Sequence, residues 1–131
     1  MVACFQDLVT RREIEKLIKN ITGLEVAAKI QATLGEGPAW NKELGMLHCV
    51  DIFGKKVYTH NPAAGTTEYF STELFPGAVL PTTVNKLTIA LDDGLYLADL
   101  DGSNLEQKLS IEPKILGNRM NDAKCDPNGV L

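Results

Sequence analysis

The sequence predicts an antiparallel, all-β protein headed by one short helix. Two observations carry this. After Gly23 the apolar residues alternate in short runs separated by Gly, Asn and Asp, whereas before it they recur at helical spacing. No long helical segment separates the strand-like runs, so the strand–helix–strand units of a parallel sheet are not supported.

TRREIEKLIKNITG, residues 10–23, places Thr10 and Glu13 in capping-box positions, sets Ile14, Leu17, Ile18 and Ile21 on one face, and stops at Gly23. A helix that is apolar on one face is expected to pack on something, as a stabilising appendage or, in the alternative, as a partner-binding element. The chain is expected to divide into a helical extension, 1–24, and a β portion, 25–131. Within the second part, GMLHCVDIFGKKVYTHN reads as two strands, Met46 to Val50 and Lys56 to His60, joined by a turn at Asp51 to Gly54. KLTIALDDGLYLADLDG reads as another pair, joined at Asp92 to Gly94.

A faint repeat joins these hairpins. AWNKELGMLHCVD, IALDDGLYLAD and AKCDPNGVL each place an apolar run before a polar turn closed by Gly45, Gly94 or Gly129. Units of roughly 40 to 50 residues with several short strands are the signature of β-propeller blades, with a sandwich as the alternative. The chain holds about two such units and the beginning of a third, fewer than the roughly four blades a propeller needs to close.

Composition narrows the function. At 131 residues and 44% hydrophobic content the chain can build a single core. A net charge of -4 opposes binding to nucleic acid or to an anionic membrane surface. No run approaches the roughly 18 apolar residues of a membrane span, and RREIEK interrupts any signal-like start. Cys4, Cys49 and Cys125 are odd in number and widely spaced, which indicates neither a disulfide framework nor a zinc knuckle and fits a reducing, cytoplasmic setting.

NRMNDAKCDPNG, Asn118 to Gly129, is more polar than a turn requires. One or two Asn, Asp or Gly residues relieve a tight backbone, yet this stretch also carries Arg119, Asn121, Asp122 and Lys124. Together with GEGPAW, Gly35 to Trp40, and the hairpin between them, it resembles the first part of the family that contains gluconolactonase, regucalcin and luciferin-regenerating enzyme. The resemblance runs from about Val26 to Leu131. It implies a six-bladed propeller that hydrolyses lactones at a divalent metal, usually calcium or zinc, with manganese or magnesium as further candidates. By position, Glu36 would be a metal ligand, and Arg119 and Asn121 would bind a small-molecule lactone, with Asp122 in a supporting role. The family's remaining metal ligands, one of which is its acid/base, belong to later blades, so no catalytic residue falls within residues 1–131. The chain alone is therefore expected to be inactive, although a full-length parent would be a metal-dependent lactonase.

The residue types suit that chemistry. A carboxylate favours a hard, oxygen-seeking cation that polarises a carbonyl or activates water. Arginine offers a fixed fork of donors, and asparagine both donates and accepts. Three positions depart from the family pattern: Met120 replaces a common aromatic, Ala123 a glycine and Val130 a frequent arginine. Plainer readings compete. Glu36 could be a turn residue, Arg119 and Asp122 a surface ion pair, and Asn121 a cap. His48 and His60 lack ligand spacing, Trp40 reads as a packing residue, and Asp126 to Gly129 need only be a turn. An EF-hand is rejected, because Gly129 as the sixth loop residue leaves no twelfth. The alternative function is a non-catalytic calcium-binding or regulatory protein, or a truncated binding module.

Overall fold

The computed structural model describes residues 10–112, 115, 117–126 and 128–131. Cys4 and Pro127, both named above, lie outside the described residues. Helix α1 spans Arg11–Thr22 and is closed at both ends as its sequence requires. The Thr10 backbone N–H donates to Glu13 Oε2 at 2.7 Å, and the Glu13 N–H donates back to Thr10 Oγ1 at 3.3 Å. At the other end Gly23 adopts φ 71° and its N–H reaches Lys19 O, the left-handed stop that glycine takes without strain.

Eight strands follow. They are β1 (Gly35–Asn41), β2 (Met46–Asp51), β3 (Lys56–Asn61), β4 (Thr66–Ser71), β5 (Ala78–Pro81), β6 (Lys86–Leu91), β7 (Gly94–Asp99) and β8 (Glu106–Ser110). They form two four-stranded antiparallel sheets, β1-β2-β3-β4 and β5-β6-β7-β8, each in simple up-and-down order. The hairpin at Asp51–Gly54 and the one at Asp92–Gly94 are both present: Asp51 pairs Lys56, and Leu91 pairs Gly94.

Alternation along the middle strands builds the core. Val50 and Val57 are cross-strand partners in the first sheet, as are Val79 and Ile89, and Leu87 and Ala98, in the second. All six are essentially fully buried. A fully buried Leu or Ile contributes roughly 1.5–3 kcal/mol, so these strands hold the two sheets together. β1 and β2 contact β5, which sets the beginning of one sheet against the beginning of the other.

Three expectations are corrected. The apolar face of α1 is not packed: Ile14, Leu17, Ile18 and Ile21 are 41–72% exposed. The sheets seal their own core, with Leu34 packed against it, and no residue of α1 belongs to that cluster. Trp40 lies 54% exposed on β1 rather than inside. The repeat alignment on glycines also pairs unlike turns, since Gly45 lies between the first and second strands of its sheet whereas Gly94 lies at the turn between the second and third.

Candidate functional site

Placement of Glu36 begins with a residue the sequence reading assigned only to a turn. Asp51 is 2% exposed at the end of β2. Its carboxylate accepts the Thr33 N–H at 2.9 Å, the Leu34 N–H at 2.9 Å and the Gly54 N–H at 3.0 Å. Burial pushes this carboxyl upward, but the Leu34, Thr33 and Gly54 donors and nearby Lys56 outweigh it and hold it below its ordinary value. Asp51 thereby ties the segment leading into β1 to the β2–β3 turn. A Cβ at Gly54 would lie 2.1 Å from Asp51 Oδ2, so a side chain there would displace the carboxylate from its three backbone donors.

From this anchor β1 carries Glu36 opposite Val50, and the register shifts between Glu36 and Ala39. Gly37 occupies the irregularity with φ 59°. Bulges of this kind re-aim the neighbouring side chain, and Glu36 is exposed. An added Cβ on Gly37 would lie 3.7 Å from Ala78 Cα and 3.8 Å from the Gly77 carbonyl oxygen. On Gly77 it would lie 2.3 Å from Met120 O and 3.4 Å from the Asn121 carbonyl carbon. Three backbones are therefore layered: β1 at Gly37, the approach to β5 at Gly77, and the segment at Met120–Asn121. Lys124 adds a tie by donating to Pro38 O at 3.4 Å.

The two sequence motifs thus meet through their backbones at one junction. Among the described residues, Glu36 forms no hydrogen bond or ion pair with Arg119 or Asn121. Arg119 is half-buried and donates through Nη1 to Met120 O at 3.1 Å, while Asn121 is exposed. Asp122 Oδ1 accepts the Ala123 N–H at 2.8 Å, and no ion pair joins it to Arg119 among the described residues. The expected third-blade strand is absent among the described residues after β8. A strand is held by its ladder, and among the described residues the segment after β8 pairs with neither sheet.

Arg119 also lines a cleft of about 430 Å³ with Phe53, Phe75, Asp92, Asp93 and Asn118, a wall to which Glu36 and Asn121 do not contribute. Phe53 and Phe75 meet edge to face at 6.2 Å and 82°. Lys55 Nζ lies 4.6 Å from the Phe75 ring centre and donates to Glu73 O at 2.8 Å. Apart from Arg119 and its neighbour Asn118, the residues of this cleft, Phe53, Phe75, Asp92 and Asp93, were missed as site residues. The signal available for Asp92 was the position it shares with Asp51, each at the exit of the second strand of its sheet and each leading into a turn that contains glycine.

His48 and His60 are buried polar residues of the sheet. His48 Nδ1 lies 2.9 Å from Thr59 Oγ1, and His60 Nδ1 lies 2.9 Å from Thr67 Oγ1. Burial pushes His48 below its ordinary pKa. The donor set does not by itself fit a divalent cation. Calcium takes six to eight oxygens, and the described residues contain no group of three or more His, Cys, Asp or Glu that could hold a metal.

Two up-and-down antiparallel sheets with a polar motif at the start of one and another after its neighbour define a β-sheet repeat protein with its candidate site at the sheet junction. Residues 34–131 match the family described as SMP-30/Gluconolactonase/LRE-like region, and the chain belongs to that family. A Bacillus subtilis protein bearing the name sugar lactone lactonase is 34% identical over 104 residues, covering 79% of this chain and 36% of its own length. A solved regucalcin from Agrobacterium tumefaciens, described as a calcium-binding protein, has 28% identity and a TM-score of 0.73, covering 79% of this chain and 35% of its own. Luciferin-regenerating enzyme has 27% identity and a TM-score of 0.70 over 75% of this chain and 34% of its own. The chain spans about a third of the length of these proteins.

Proposed function

We propose that residues 25–131 form two blades and the approach to a third in a six-bladed propeller that hydrolyses sugar lactones, with residues 1–24 as an appended extension. The observation that carries this reading is the backbone stack of Gly37, Gly77 and Met120, which joins the Glu36 motif on the first sheet to the Arg119–Asn121 segment that follows the second. The similarity to a protein named sugar lactone lactonase supplies the reaction class. In that reaction water adds to the lactone carbonyl, the ring C–O bond breaks, and the ring oxygen leaves as a hydroxyl, giving a hydroxy acid.

Within this reading each residue has a limited part. Arg119 offers guanidinium donors to lactone oxygens, and Asn121, exposed beside it in sequence, offers an amide donor and acceptor. Both position substrate and neither is a nucleophile. Glu36 would supply one oxygen to a calcium or zinc ion, whose remaining ligands would come from outside residues 1–131. The proton acceptor lies outside them too, so the chain binds and orients without completing the site.

Lactone hydrolysis is compared between residues 1–131 and a version extended through all six blades, each assayed with calcium, zinc or manganese. The extended protein is expected to turn over and its Glu36→Ala variant to lose on the order of a hundredfold, while the short chain stays near background. Robust metal-dependent turnover by the short chain would overturn this division of labour. An extended protein without activity would favour a binding or regulatory role instead.

A further inference from the structure

Helix α1 stands apart from both sheets. It makes no extended contact with any strand, and it ends at Thr22, before the family region opens at residue 34. Its polar side is already occupied. The chain turns at Gly23 and runs back along that side, where Glu15 pairs with Lys29 at 3.4 Å and Lys19 pairs with Glu25. The apolar side, Ile14, Leu17, Ile18 and Ile21, is left open, with Ile21 72% exposed. A helix covered on its polar side and bare on its apolar side is the reverse of one packed on a core.

Charge is divided unevenly between this arm and the sheets. Residues 10–29 carry five basic and three acidic side chains, whereas residues 30–131 carry eight and thirteen. The net charge of -4 that opposes an anionic surface therefore belongs to the β portion, and the arm is cationic. All three acids of the arm are engaged, Glu13 in the cap with Thr10, Glu15 with Lys29 and Glu25 with Lys19. Arg12 and Lys16 form no ion pair among the described residues.

These two features select the partner. A nucleic acid would take the cations but gains nothing from an aliphatic stripe. A protein groove that envelops a helix needs its polar side too, which residues 25–29 cover. A second copy would set one cationic arm beside another. An anionic lipid surface touches one side only and takes the stripe into the acyl boundary. Because a helix is about 10–12 Å across, its cations stay near the Debye length of about 10 Å at 0.1 M salt.

We propose that α1 is an interfacial anchor that lies in the plane of an anionic lipid surface. Ile14, Leu17, Ile18 and Ile21 enter the acyl boundary, and Arg12 and Lys16 supply attraction to the headgroups. The negatively charged sheets stay off the surface, so binding rests on the arm alone and is reversible. It does not depend on the lactone reading.

The test is flotation of the 131-residue chain with vesicles of phosphatidylcholine alone and of phosphatidylcholine with phosphatidylserine. Binding is expected with phosphatidylserine only, and should fall as salt shortens the Debye length to about 3 Å at 1 M. Ile21→Glu should weaken it at least about tenfold and Lys16→Gln about fivefold. An unchanged sheet melting transition establishes that both variants fold. The anchor is overturned if the chain does not float with phosphatidylserine, if it floats equally with phosphatidylcholine alone, or if Ile21→Glu binds like the parent. A chain that sediments as a dimer, and as a monomer after Ile21→Glu, would give the stripe to a second copy instead. A version extended through all six blades, whose melting transition drops on Ile21→Glu, would place the stripe against later blades and overturn the anchor as well.

Discussion

The Met120 carbonyl lies so close over Gly77 that a Cβ there would sit 2.3 Å from its oxygen. Backbone cannot move aside as a side-chain tip can. Gly77→Ala should therefore push the Met120–Asn121 segment away from β5 and lower stability by about 1–3 kcal/mol, the range for overpacking a fitted site. Chemical denaturation with amide shifts at Asn121 and Asp122 checks both effects. An unchanged midpoint and unmoved shifts would show that the three-layer stack is absent in solution.

Asp51 gives a prediction with a defined pH limb. Asp51→Asn replaces one accepting oxygen by an amide that faces backbone donors, and should cost about 1.5–3 kcal/mol. The folded carboxyl lies below its ordinary value of 3.8. Its stabilisation is therefore present above the unfolded value and lost as pH falls through the folded one. Melting curves of the parent chain should drop in that acid range, and the Asn variant should drop less. Parallel declines in the two proteins would remove Asp51 as the cause.

His48 acts in a different window. Burial depresses this imidazole below its ordinary value of 6.5, so folding favours its neutral form. Stability is then complete above the unfolded value and declines as pH falls below it, because the unfolded chain takes up the proton first. As pH falls below about 6.5 the melting temperature should fall in the parent chain and fall less in His48→Gln, which can still bond Thr59. Equal slopes in the two proteins would contradict this.

The middle strands were legible because each has one buried face and a turn with backbone-specific residues; β2, β3, β6 and β7 follow the expected hairpins to within a residue or so. β4 and β8 gave no such pattern. TTEYFS is exposed except for half-buried Phe70, and EQKLS is exposed throughout, since both lie at sheet edges and need no apolar alternation. The motifs were readable as motifs, and Glu36, Arg119 and Asn121 could be named from them. What linear order hides is the closeness of separate backbones: the role of Gly77 is visible only once Met120 lies against it. The cleft was hidden for the same reason: only Asn118 and Arg119 of its wall belong to a motif, and the turns that carry Phe53, Asp92 and Asp93 do not.

The unpacked face of α1 leads to the last prediction. Thr10 and Glu13 close the helix locally, so its formation depends on the cap rather than on the sheets. Thr10→Ala should destabilise the helix by about 1 kcal/mol, seen as a loss of helical far-UV circular dichroism. The cooperative melting of the sheets should stay in place. Ile18→Glu tests the face directly: Ile18 is 41% exposed, and substitutions at unpacked surface positions usually change stability by less than about 0.5 kcal/mol. If Ile18→Glu instead lowers the sheet transition by several kcal/mol, the apolar face is buried in solution, and the helix is part of the core rather than an extension of it.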